Sequence, residues 1–426
     1  MKRLHIWLAI GVICLSVFCI GRNADASVVW GKDANGIYVN NKGEAIERAV
    51  KKGIDVSYAQ GSIDWEQVKE SDVEFVMIRT GSGGNLTEND DSKWEYNSSE
   101  CERLGIPYGA YHYAKATTVA EAKEEAAHVI RLLAGKNLSY PVYYDMESNS
   151  IANLTASQYA ANAKAFCDEI EAAGYKTGIY ANKTWFDTKL TDPWFDSQEK
   201  WIARWNSYCG YEGSYRMWQC TSEGTVNGIP GSVDINFLIE DAPAKVSFTK
   251  AVSAGYNSHT LTWRAIEGVD GYEIWCKGPN ASTYTLLKKV SPNTCTIGKR
   301  NTGKYYSYQI RAYKKINGTT EYGEYSAVKK AKAVPAKTIL KSVKRANKKK
   351  VTIKWTKVAG ANGYQIYYST KKGSGYKLLT TVKKGTTTSV KVNVAKGKRF
   401  YYKIRAYRNV SKKPVYGGYS EILSCK

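Results

Sequence analysis

Asp145 and Glu147 close the run YPVYYDME (140–147), two acids separated only by Met146 at the end of a stretch of Tyr, Val and Pro. Residues two apart on a strand face the same way, so both carboxylates are expected to point together into whatever lies beyond the strand's C-terminal end. Two carboxyls held close in a partly desolvated pocket do not ionise independently. The one that keeps its proton becomes available as a general acid near neutral pH. Hydrolysis of a glycosidic bond needs such a pair. By itself the pattern is weak, because Asp-x-Glu also occurs on solvated turns. Two further acids strengthen it. Asp55 lies within GIDVS and Asp234 within VDINF, each among apolar neighbours where an acid is costly unless paired or used. The alternative for both is a turn cap or a buried hydrogen bond.

The elements that must position these acids form an alternating series. Eight apolar runs, GIDVS (53–57), FVMIRT (75–80), YGAYHY (108–113), YPVYYDME (140–147), TGIYA (177–181), WIARW (201–205), YRMWQC (215–220) and VDINFL (233–238), read as strands. Residues 91–104, 118–134 and 155–173 between them have helical composition, the last opened by Thr155 as an N-cap. Such βα alternation predicts a barrel whose reactive mouth is at the strands' C-terminal ends. The span is short for a full (β/α)8 barrel, and nine residues separate WIARW from YRMWQC. The expectation is therefore a modified, incomplete, TIM-like (β/α) barrel with its last strands joined by hairpins. First and last strands would be neighbours, bringing Asp55 and Asp234 to one mouth.

GIDVSYAQGSIDWEQVK, YGAYHY, YYDME, GIYAN and MWQCTSEGTVNGIPGSVDINF, in that order over residues 50–240, together resemble glycoside hydrolase family 25, the N,O-diacetylmuramidase type of lysozyme. The resemblance implies cleavage of the β-1,4 bond between N-acetylmuramic acid and N-acetylglucosamine in bacterial peptidoglycan, on a modified β/α barrel with no metal or other cofactor. By motif, Glu147 would donate the proton and Asp145 would stabilise positive charge, in part by orienting the substrate's acetamido group. Asp55 and Asp234 would complete an acidic floor. Tyr111, Tyr180 and Trp205 could stack on or hydrogen-bond to sugar, with Gln219 as a polar contact; each could equally be barrel core. Cys220 stands where the resemblance has an aromatic residue, and a disulfide to Cys209 would account for that.

Lys2 and Arg3, an apolar run from Ile6 to Ile20 and small residues at Ala24 and Ala26 read as a signal peptide over residues 1–26, hence a secreted or wall-associated protein. An N-terminal extension (27–49) would precede the barrel (50–242). Beyond Pro243 the composition changes to Thr, Val and Tyr. WRAIEGVDGYEIW at Trp263 returns as WTKVAGANGYQIY at Trp355, and YGEYS at Tyr322 as YGGYS at Tyr416. Two copies, 243–333 and 336–426, resemble fibronectin type III domains, small immunoglobulin-like β-sandwiches. Cys276 and Cys295 could pair inside the first copy. The seven cysteines beyond the leader are too few and too scattered for a disulfide scaffold.

The formal charge of +23 is segregated: residues 1–242 hold 23 Lys plus Arg against 33 Asp plus Glu, and residues 243–426 hold 39 against 6. A tail so basic attracts polyanions through a long-range, salt-sensitive field. Wall polymers are the expected partner and nucleic acid the less suited one; alternatively the lysines only solvate sheet faces and block edge pairing. Three readings follow: an active muramidase acting as a monomer, a catalytically silent wall-binding or adhesin protein, and a polyanion-binding scaffold. The presence of all four acids favours the first.

Overall fold

The computed structural model describes residues 29–347, 349–395 and 398–425, so the leader (1–26), with its Cys14 and Cys19, lies outside the described residues. No helix among those described is long and apolar enough to cross a membrane. The chain divides into two compact units. One takes the residues up to Ile46 with Lys51–Gly213 and Met217–Phe237; the other takes Glu47–Val50, Ser214–Arg216 and Leu238 onward.

The first unit is built on a barrel. A short hairpin of β1 (Gly31–Lys32) and β2 (Tyr38–Val39) precedes it. The barrel strands are β3 (Ala49–Val56), β4 (Phe75–Ser82), β5 (Tyr108–Tyr113), β6 (Val142–Asp145), β7 (Thr177–Asn182), β8 (Lys200–Ala203), β9 (Met217–Gly224) and β10 (Val233–Ile239). Helices α1 (Trp65–Glu70), α2 (Trp94–Leu104), α3 (Val119–Leu132), α4 (Ala156–Ala172) and α5 (Lys183–Thr188) fill the crossovers. The strands are near-continuous apolar runs because both faces are covered; Ile54, Val76, Ile78, Val142, Ile179 and Ile202 are all fully buried. Local chemistry sets the helix ends. Thr155 accepts from the Gln158 backbone while the Gln158 side chain returns the bond, and Thr118 does the same with Glu121. Gly105 ends α2 in the left-handed region at φ 63°.

Two expectations change. The ring is closed rather than incomplete, in the order β10-β3-β4-β5-β6-β7-β8-β9, which places the first and last barrel strands side by side as foreseen. β8 and β9 are also parallel, Trp201 opposite Met217, and not a hairpin. The strands stop short of the apolar runs, at Ala203 and Met217, so the connection grows to the dozen or so residues that a parallel return needs. Among the described barrel strands β9 and β10 form a hairpin: the contacts of Arg216 with Ile239 and of Cys220 with Ile235 advance in opposite directions. The extension packs on the barrel. Trp30 packs edge-on against Trp218 at 5.8 Å and Tyr38 against Phe237 at 5.5 Å.

The second unit contains two all-β copies. In the first, Phe248–Gly255, Ser258–Trp263 and Thr294–Ile297 form one sheet, and Thr285–Val290, Gly271–Lys277, Tyr305–Ile316 and Thr319–Tyr322 form the other, with Lys329–Lys332 also paired to Tyr305–Ile316. The second copy repeats this order from Leu340–Asn347 to Leu423–Cys425. The repeated Trp and Gly-Tyr make the core. Trp263 meets Tyr272 and Trp355 meets Tyr364, both at 5.3 Å. The Tyr272 hydroxyl accepts from Ile266 N at 2.8 Å and that of Tyr364 from Val358 N at 2.9 Å, tying each core to the preceding loop.

No disulfide links the described cysteines, so neither Cys209–Cys220 nor Cys276–Cys295 is formed. The thiols of Cys220, Cys276 and Cys295 have other partners. Cys220 Sγ donates to Ile235 O at 3.3 Å inside the β9–β10 hairpin, and the loop carrying Cys209 is clasped by Arg204 Nη1, 2.7 Å from Cys209 O. Cys276 Sγ accepts from Arg300, while Cys295 Sγ turns to Thr296 O.

Candidate functional site

The strand ends of β6 and β7 assemble the acid pair. Ala114 N donates to Asp145 O and Met146 N to Tyr180 O, so the chain is still pinned on both sides as β6 stops at Asp145. Glu147 lies two residues beyond, off the strand. Its Oε2 accepts from Asn182 N at 3.1 Å and from Asn182 Nδ2 at 3.0 Å, and its Oε1 faces the Tyr180 hydroxyl at 3.4 Å. Asn182 is also the N-cap of α5, its Oδ1 accepting from Trp185 N. The cap consumes the oxygen and turns the amide NH2 toward Glu147. Asp145 is buried, and its Oδ1 has no hydrogen-bond partner among the described residues. Burial first, and the charge of Glu147 second, push the Asp145 carboxyl well above the usual range, with Arg79 pulling the other way. A buried carboxylate oxygen left unpaired inside a protein calls for a ligand or a proton.

Asp55 sits on the neighbouring arc of the ring. Its Oδ2 accepts from Gln219 Nε2 at 3.0 Å and Asn236 Nδ2 at 2.7 Å, so the buried-hydrogen-bond alternative also holds for this residue. Both amides are themselves oriented. Asn236 Oδ1 accepts from Trp201 Nε1 at 2.8 Å, and Gln219 Oε1 accepts from the Tyr180 hydroxyl and from Trp205 Nε1, at 3.1 and 3.0 Å. Desolvation raises Asp55 to about 6 despite these donors, with Glu147 adding to the shift. Asp234 is half-buried rather than embedded, yet desolvation, Asp55 and Glu147 raise it to about 8. Tyr111 packs edge-on against Trp201 at 5.8 Å, and Tyr180 against the same ring at 4.5 Å. Trp205 is 63% exposed, with its indole N–H anchored on Gln219.

Asp55, Tyr180, Trp205 and Gln219 are thus joined to Glu147 in one hydrogen-bonded network, and Asp145 and Asp234 are coupled to it by charge. Asn182, Asn236, Arg79 and Trp201 belong to the same site and are not among the residues singled out from sequence. Asn236 had a readable signal: it is two residues from Asp234 and shares its strand face. Arg79 had none, since its place over the rings of Tyr58 and Tyr113, at 5.7 and 5.5 Å, needs the tertiary fold.

Asp55 makes a stability prediction with a definite sign. The folded state keeps its proton to about pH 6, whereas the unfolded chain releases it near 3.8, so folding binds the extra proton between these values. Stability is therefore lost as pH rises through that window and stays lost above it. Asp55→Asn removes this cost. It should raise the melting temperature relative to wild type above pH 6, by an amount equivalent to about 2–3 kcal/mol at most. The gain should vanish near pH 3.5, and thermal denaturation across that range checks it.

Residues 54–229 match the model of glycosyl hydrolases family 25. The barrel is a domain of that family. Its relatives include the autolytic lysozyme of Clostridium acetobutylicum, 30% identical over 190 residues, covering 44% of this chain and 56% of that protein. Lysozyme M1 of Streptomyces globisporus is 27% identical over 201 residues, covering 43% and 66%. A solved structure of the modular autolysin LytC from Streptococcus pneumoniae with a synthetic peptidoglycan ligand is 29% identical, covers 49% of this chain and 52% of that one, and superposes with a TM-score of 0.45. The chain thus spans between half and two thirds of the length of these relatives. Asp55, Asp145, Glu147 and Asp234 all lie on barrel strands or within two residues of a strand end.

Proposed function

We propose that the protein is a muramidase that hydrolyses the β-1,4 bond between N-acetylmuramic acid and N-acetylglucosamine in bacterial peptidoglycan. The observation that carries this is the unpartnered, buried Oδ1 of Asp145 beside a Glu147 held by Asn182 and Tyr180. Glu147 is the proton donor to the leaving glycosidic oxygen, which requires the proton that burial favours on Asp145 to pass to Glu147 as positive charge develops beside Asp145. Asn182 and Tyr180 fix its rotamer, so the proton is delivered along one direction. Asp145, next to it, accepts the hydrogen bond of the substrate's acetamido N–H or stabilises the positive charge that develops at the anomeric carbon. Asp55, with Gln219 and Asn236, and Asp234 set the charge of the floor. Because both hold protons well above the ordinary Asp range, the floor carries fewer negative charges near neutrality than its residue count suggests.

The reading extends to the whole chain. A leader over residues 1–26 exports it; the two C-terminal copies are fibronectin type III-like modules; the basic tail holds the enzyme at anionic wall polymers; and it acts as a monomer with no cofactor. The test is release of reducing ends from purified peptidoglycan by the mature protein, with mass spectrometry of the new terminus. Chains ending in reducing N-acetylmuramic acid are the expected product. A folded protein that binds wall and releases nothing would make the barrel a binding module.

Trp205 gives an independent check on substrate contact. Its exposed ring is an anchored platform for a sugar face, worth roughly 0.5–1.5 kcal/mol for such aromatic contacts. Trp205→Ala should raise KM about two- to tenfold while kcat stays near wild type. Gln219 keeps the Tyr180 donor in the variant, so Asp55 keeps its amide. A fall in kcat with KM unchanged would place Trp205 in the positioning network instead.

A further inference from the structure

The two C-terminal copies carry the same ladder of rings and cations on the outer face of the larger sheet, but with opposite electrostatic outcomes. In the first copy, Arg311 lies over Tyr322 at 3.8 Å, Tyr325 at 4.8 Å and Trp275 at 5.5 Å. In the second, Arg405 lies over Tyr416 at 3.7 Å, Tyr419 at 5.0 Å and Tyr367 at 5.3 Å. The register makes the two sets equivalent: Glu273 is opposite Arg311 on the adjacent strand, and Gln365 is opposite Arg405. That one position differs in charge.

In the first copy Glu273 neutralises the ladder. It is buried, ion-pairs with Arg311 at 2.8 Å and Lys289 at 2.9 Å, and accepts from Trp275 Nε1 at 3.0 Å. Burial opposes its ionisation, but the hydrogen bonds from Lys289, Trp275 and Arg311 outweigh it and hold the carboxyl below its ordinary range. In the second copy Gln365 Oε1 takes the same two donors, Arg405 Nε at 3.0 Å and Nη2 at 2.7 Å, but brings no charge. Thr381 stands where Lys289 stands, and a different cation, Lys403, sits over Tyr376 and Tyr419 at 4.3 and 4.1 Å. The ladder there keeps two cations and no acid. The surrounding sequence is one-sided as well: residues 336–426 hold 24 Lys plus Arg against the single acid Glu421, which is paired with Lys337.

We propose that this face of the second copy, centred on Arg405 and Lys403, binds a phosphodiester-linked polyol or sugar polymer, and that Glu273 silences the equivalent face of the first copy. The proposal rests on the reading that the barrel works on bacterial wall, where such polymers are the abundant polyanions. Two features favour that occupant over nucleic acid. Arg405 is pre-oriented by Gln365 and Tyr367, so little side-chain freedom is lost when it meets a phosphate. The faces of Tyr416 and Tyr419 are already covered by Arg405 and Lys403, so they offer no platform for stacking bases, which single-strand binders need.

The experiment measures binding of the mature full chain to fluorescent poly(glycerol phosphate) across a salt series. Arg405→Gln and Gln365→Glu should each weaken binding by about tenfold at low salt and lower the slope of log Kd against log salt by about one, the signature of one lost phosphate contact. Glu273→Gln should strengthen binding. Lys391→Gln, on the other sheet of the second copy, should change it less than about twofold for a charge outside the contact. Thermal denaturation confirms the fold of each variant, and Gln365→Glu, a near-isosteric change, still decides the matter if Arg405→Gln unfolds. Wild-type binding by Gln365→Glu, or an equal loss in Lys391→Gln, overturns the proposal in favour of unspecific net charge. Tighter, equally Gln365-sensitive binding of a DNA oligonucleotide reassigns the face to nucleic acid and also overturns it. Release of reducing ends from polymer-free peptidoglycan by the same preparations should not change, so a failed proposal is distinguishable from a failed muramidase reading.

Discussion

Glu147→Gln lowers the release of reducing ends from peptidoglycan by about 10²- to 10⁴-fold, the range over which a positioned general acid accelerates such reactions. The amide keeps the size and can keep one contact with Asn182, whose N and Nδ2 both reach Oε2 at 3.1 and 3.0 Å, so the barrel should melt close to the wild-type temperature. What is lost is the proton for the leaving oxygen. A substrate whose leaving group needs no proton separates this from misfolding: on an aryl glycoside of the same sugar with a good leaving group, Glu147→Gln should recover most of the deficit. Equal losses on both substrates would take the proton-donor role away from Glu147.

Asp145→Asn is expected to cost a comparable amount, about 10²- to 10³-fold, on both kinds of substrate. The side chain is buried with Oδ1 unpaired, so the change removes the carboxyl that must meet positive charge or an acetamido N–H, and no leaving group compensates for that. Stability should move the opposite way. Burial and Glu147 raise the Asp145 carboxyl well above the ordinary range, so the ionised form is costly in the folded state and the neutral amide relieves that cost at neutral and alkaline pH. A variant slow on both substrates and more thermostable at pH 8 than wild type is the expected pair of results. An Asp145→Asn protein with wild-type turnover would leave Glu147 acting alone.

These predictions share a physical origin with the contrast between what was legible along the chain and what was not. The eight apolar runs each became a barrel strand, and Thr155 became the N-cap it resembled, because periodicity and capping are properties of a few consecutive residues. The Asp-x-Glu spacing was visible in the sequence, but the shared strand face expected for it does not form, because β6 stops at Asp145 and Glu147 is held by the β7 end. The repeat of Trp and Gly-Tyr likewise announced two equal cores.

Tertiary structure decided the rest. Asp55 meets Gln219 and Asn236 across 164 and 181 positions of sequence, contacts that exist only because the ring closes. No local pattern encodes which strand a strand will pair with, so the parallel β8–β9 step and the roles of Asn182, Asn236 and Arg79 emerged only in three dimensions. Cysteine spacing was a poor guide, because a thiol pairs according to where its side chain points: that of Cys220 points at Ile235 O. Net charge was countable from the sequence, but only the register of adjacent strands set Glu273 against Arg311 and Gln365 against Arg405. Composition belongs to the chain as a string; the partner of each charge belongs to the fold, because electrostatic energy depends on separation and burial rather than on position along the sequence.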